Sequence, residues 1–141
     1  MANEELVSAV KRIVGLAKSG DLDAAYVGYR DLFSSPAFVS YRPEDQRQAL
    51  RLMVLAKRSS SPSSKHSPAK IAAHQSAIPL LTALVEQFKE PADHELLGIC
   101  LVILDKEDLA RETFRTGLAL ERERNAQSDL CGEFMKRISF L

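Results

Sequence analysis

The sequence predicts an all-α fold, a solenoid of about three antiparallel helix pairs closed by a C-terminal capping helix, and three observations carry that expectation. Apolar residues recur at three-and-four spacing along most of the chain, while period-two alternation is nearly absent; only residues 37–41 are ambiguous. Residues 15–33 and 97–118 read as one helical-hairpin pattern written twice. Leu16, Gly20-Asp21, Ala25 and Tyr29 stand in order in the first, Leu97-Gly98, Leu101, Asp105, Ala110 and Phe114 in the second, each with a small residue four places before an aromatic. Prolines, glycines and capping residues, finally, cut the chain into seven helical segments. A repeated helix pair cannot bury its apolar face alone, so it stacks neighbours and leaves an exposed face that usually binds something.

The first helix is expected over residues 3–18, where Leu6, Ala9, Val10, Ile13 and Leu16 or Ala17 make one stripe that Val7 and Val14 widen. Gly20 permits a positive φ at its end, and Asp21 can cap a second helix that buries Ala25, Tyr29, Leu32 and Phe33. Ser34-Ser35-Pro36 ends that helix. Pro43 with Glu44 and Asp45 starts a third, to residue 57, because proline suits a first turn and acids favour the positive end of the helix dipole. Residues 58–68 hold serines, cations and two prolines without a large apolar residue, and are expected as a flexible surface loop. A fourth helix starts at Ser67-Pro68 or near Ser76, with a stripe of Ala77, Leu81, Leu84, Val85 and Phe88. The fifth, residues 92–104, is almost wholly apolar from 96 and should be the most buried. Asp105 is expected to cap the sixth, with Leu104 touching Leu109 as a hydrophobic staple. Ser128-Asp129 opens the last, whose Leu130, Phe134, Ile138 and Leu141 form one face. The 141 residues are expected to form a single domain, with residues 128–141 as its cap.

Nineteen bases balance nineteen acids, so the chain has no general attraction for nucleic acid or an anionic membrane, and neither partner is expected. No apolar run approaches the roughly 18 residues of a spanning helix. Glu4 and Glu5 stand where a secretory signal is basic and then apolar, so a cytoplasmic protein is expected. Cys100 and Cys131 sit among apolar residues and read as reduced, small core hydrophobes. His66, His74 and His94 show no metal-ligand spacing with cysteine or acid and are expected at the surface. The acids of residues 107–123 alternate with arginines as in solvated ion pairs, and phosphate loops and nucleophile elbows are missing. No enzyme, catalytic residue, cofactor or metal site is therefore expected.

These residues resemble the tetratricopeptide repeat family, whose pattern sets leucine and glycine in the first helix of a pair, glycine and aspartate at the turn, and alanine and an aromatic in the second. Leu97-Gly98, Leu101, Ala110 and Phe114 match best, with Asp105 in place of the turn glycine and Gly117 in place of a second alanine. Gly20-Asp21, Ala25 and Tyr29 keep the pattern, but Arg12-Ile13 stands where leucine-glycine belongs, and the family's tryptophan is missing from both. Ala77 and Ala110 are 33 residues apart, near the family period of about 34, whereas Ala25 and Ala77 are 52 apart.

The resemblance implies a non-catalytic adaptor or scaffold that binds a partner peptide or amphipathic helix in a concave groove. First helices line that groove in the family, which implies Val7, Val10, Lys11, Val14 and Lys18 here, then Glu95, Ile99 and Val102, with Arg47 and Arg51 between by analogy. Asparagine occurs only at Asn3 and Asn125, which argues against a clamp for acidic chaperone tails. Two alternatives are a chaperone for a secreted or assembly-prone protein and a self-associating module, a homodimer through the C-terminal helix.

Overall fold

The computed structural model describes residues 2–56 and 66–141, with side chains from residue 4 onward. The expected 58–68 loop lies outside the described residues up to position 65. Among the described residues the chain is all-helical, with seven α-helices, one short 3₁₀ turn and no strand. It divides into two compact units, 1–77 and 78–141.

In the unit 1–77, α1 (Ala2–Lys18) and α2 (Leu22–Ser34) pack on each other. Gly20 takes φ +93°, as expected, and the turn closes with Gly20 N–H on the Ala17 carbonyl and Asp21 N–H on the Leu16 carbonyl, 3.1 and 3.0 Å. Asp21 then caps α2, its carboxylate accepting from the Ala24 N–H at 3.2 Å. Gly28 allows the helices to close, since a Cβ there would lie 2.7 Å from Ile13 Cγ1. Tyr29, Phe33, Phe38 and Tyr41 form a run of rings with centroids 5.3 to 5.9 Å apart. That run explains the ambiguous stretch, which becomes a 3₁₀ turn, Phe38–Ser40, with Phe38 fully buried. Tyr26 is also buried, and the expected Leu32 only half so. The helix α3 (Pro43–Val54) starts at the expected proline and ends three residues before the expected 57. Buried Gln46, whose side chain donates to the Tyr41 carbonyl at 2.8 Å, ties α3 to the preceding turn.

The helix α4 (Pro68–Phe88) takes the earlier of the two starts, with Ser67 Oγ accepting from the Lys70 N–H at 3.2 Å. It runs through Pro79, which removes one rung of its hydrogen-bond ladder, and the division between the units falls within it, after Ala77.

In the unit 78–141, α5 (Pro91–Ile103) packs on α6 (Glu107–Asn125), and α6 on α7 (Asp129–Ser139). As expected, α5 is the most buried helix, eight of its thirteen residues being inaccessible. Gly98 receives the Phe114 ring so closely that a Cβ would stand 2.2 Å from Cε1. Gly117 does the same for Phe134 of α7, at 2.5 Å from Cζ. Of the expected α7 face, Phe134 is fully buried, its centroid 6.2 Å from that of Phe114, while Leu130, Ile138 and Leu141 are half-buried. Ser128 caps α7 by accepting from the Cys131 N–H.

Two expectations are corrected. Asp105 does not cap α6: it takes φ +61°, the N-cap position is Lys106, and no side chain caps the helix. Asp105 N–H and Lys106 N–H bond the carbonyls of Val102 and Leu101 at 3.0 and 2.8 Å, the closure made by Gly20 and Asp21 in the first hairpin. The residue standing where a glycine would serve cannot also be the cap one position later. Leu109, the expected staple partner of Leu104, stays 52% exposed. The histidines are the second correction. His66 is exposed, but His74 and His94 are buried. Each donates from Nδ1 to the carbonyl four residues earlier, Lys70 at 2.7 Å and Glu90 at 3.0 Å, which lets a polar ring enter an apolar core.

Candidate functional site: a cleft between the first and third helices

The stripe of α1 is wider than its contact with α2 can use. Leu6 and Ile13 are buried, whereas Val7 remains 44% exposed, Val10 and Val14 are half-buried, and Lys11 is exposed. On α3 the stripe of Ala49, Leu50 and Met53 is buried, yet Leu52, one residue round the helix, is 43% exposed.

These surplus residues meet across a cleft of about 160 Å3. Its α1 wall is Leu6, Val7, Val10 and Lys11; its α3 wall is Asp45, Gln48, Ala49 and Leu52. The α3 positions follow an i, i+3, i+4, i+7 series, one helical face. Gln48 and Leu52 also border a broader depression along α3 that contains Glu44, Arg47, Arg51 and Leu55.

The charge around the cleft is unevenly neutralised. Arg42 Nε lies 3.5 Å from an Asp45 carboxylate oxygen and 3.8 Å from one of Glu44, so both acids share one base. Lys11 and Arg51 are exposed and form no ion pair among the described residues. The perturbed histidines of the unit stand elsewhere: burial and then Lys70 lower His66, and burial pushes His74 of α4 down to about 4, with Lys70 and His66 adding in the same direction against the Lys70 carbonyl. Its ring lies 5.9 Å from that of Tyr26. Among the described residues no three His, Cys, Asp or Glu side chains gather as a metal-holding group.

Of the residues expected at a groove, the structure brings Val7, Val10 and Lys11 together in the cleft and sets Arg47 and Arg51 in the adjoining depression. Val14 lies one turn further along α1, and Lys18 is exposed in its last turn, outside the lining. Glu95, Ile99 and Val102 belong to α5 of the unit 78–141. There Glu95 is only 12% exposed in its side chain and binds Arg137 of α7 at 3.2 Å, Ile99 is half-buried and Val102 is 39% exposed. Sequence reasoning missed Asp45, Gln48, Ala49 and Leu52 as a wall. Their four-residue series was readable, but Leu52 stands beside Met53 in a run that reads as one buried stripe.

No family model matches this chain, and no curated protein or solved structure does so either. No helix among the described residues is long and apolar enough to cross a membrane.

Proposed function

We propose that this chain is a non-catalytic, tetratricopeptide-like adaptor that seats a peptide or helix of a protein partner in the cleft between α1 and α3. The observation that carries this function is the pair Val7 and Leu52, each more than two-fifths exposed, on facing walls of one concave apolar surface. Large apolar side chains gathered in a concavity remain in water at a cost that a docked partner removes. The repeat reading has its own support. Ala25 and Ala110, like Tyr29 and Phe114, stand at the same distance from turns closed by the same two hydrogen bonds, and all four are at most 1% exposed. The engagement of Phe134 with Phe114 and Gly117 favours α7 as a cap of its own chain over a dimer contact.

Leu52→Glu tests the function. It places a charge in the cleft at a position exposed enough to leave folding intact, whereas Leu109→Glu changes an exposed apolar residue of α6. In affinity capture from native extract with quantitative mass spectrometry, partners should be lost from Leu52→Glu and kept by Leu109→Glu. Equal partner sets on both would place binding elsewhere.

A further inference from the structure

Building on that cleft as the binding site, we infer that its occupant is an acidic amphipathic helix, with one bulky apolar side chain in the cleft and carboxylates one turn away meeting Lys11 and Arg51. Three properties of the site lead there.

The first is size. A cleft of about 160 Å3 matches the roughly 150 Å3 apolar cavity that holds a benzene ring, so it takes one phenylalanine- or leucine-sized anchor. The second is the nature of the walls. Both are helices whose backbone groups are bonded internally, so neither offers an edge for an added strand. An extended peptide would need partners for its own N–H and C=O groups, for which the lining offers only the side chains of Lys11, Asp45 and Gln48, whereas a helix arrives with them satisfied. The third is charge. Lys11 borders the cleft and Arg51 the adjoining depression, neither in an ion pair among the described residues, and with Arg42 they outnumber the nearby acids Glu44 and Asp45 by three to two. The unmet sign is positive, which selects carboxylates on the partner and disfavours a basic one.

The same charges argue against the two occupants nearest to hand. Residues 57–65 of this chain add Lys57, Arg58 and Lys65 and no acid, so they match the site in sign rather than complement it. A second copy related by a twofold axis would set Lys11 and Arg51 of one chain against the same patch of the other.

The test is a display selection from a library of amphipathic helical peptides of about 16 residues, roughly four turns. Each carries one Phe or Leu anchor and randomised flanking positions. It is panned on the full chain, on Lys11→Glu/Arg51→Glu and on Leu52→Glu, each verified as folded by circular dichroism. The wild type should enrich Asp and Glu beside the anchor. Synthetic winners should bind the charge-reversed variant at least about tenfold more weakly, and bind the wild type less well as salt shortens the screening length. Winners that need Leu52 but show no acidic bias, or that bind the charge-reversed variant equally, overturn the acidic occupant and leave the cleft as the binding site. Failure of any peptide to distinguish wild type from Leu52→Glu overturns both. Self-association of the wild type in sedimentation, abolished by Leu52→Glu, makes a second copy the occupant and overturns the acidic helix.

Discussion

His74 and His94 place an imidazole ring in the core by turning Nδ1–H to the carbonyl one helical turn earlier, a solution that depends on helix geometry rather than on any distant partner. Composition and spacing do not reveal it, because a histidine near a helix start looks the same whether its ring folds back onto its own helix or points to solvent. For His74 the energetic consequence has a definite sign. Burial lowers it from 6.5 to about 4, so between those values the unfolded chain binds a proton that the folded chain refuses. Stability is then complete above pH 6.5, falls as the pH drops toward 4, and levels off below, with a loss on the order of 3 kcal/mol at most. In denaturant titrations at successive pH values, His74→Gln should flatten that slope. A slope unchanged by the substitution would assign the acid sensitivity to other groups.

At the scale of the element, the two hairpins turn by one device executed with different residues. Glycine at position 20 takes the left-handed conformation without steric cost, whereas Asp105 takes it against the Cβ penalty. Asp105→Gly should therefore be neutral or stabilise by up to about 1 kcal/mol, measured by thermal unfolding. If Asp105 were instead the cap of α6, its replacement by glycine would lower stability. Element boundaries were legible where a residue type admits one role, as at Gly20, Pro43 and Ser128. They were not legible where one residue type serves two, since aspartate both caps helices and tolerates the left-handed region. The start of α4 was undecided for a similar reason: Pro79 suits a first turn, and only the Ser67 hydroxyl on the Lys70 N–H fixes the earlier beginning.

For the whole molecule, the all-helical class was readable from spacing, and Gly98 and Phe114 stood in the repeated pattern, whereas the close approach of Gly28 to Ile13 carried no sequence signal. The α1 wall of the cleft was readable too; the α3 wall was not, because spacing alone does not separate the buried Met53 from the exposed Leu52. The unit 78–141 depends on α7 through Phe134, and Phe134→Ala should cost about 3 to 5 kcal/mol in denaturant unfolding. A small loss would remove α7 from the cap role. Both cysteines of the chain, Cys100 and Cys131, are buried in that same unit, and burial pushes the Cys100 thiol up to about 12. A thiolate is the species that reacts, so at neutral pH an alkylating reagent must wait for the structure around Cys100 to open. The protein thus carries a natural clock: the rate of thiol capture times the opening of residues 78–141, while residues 1–77, without a cysteine, stay silent.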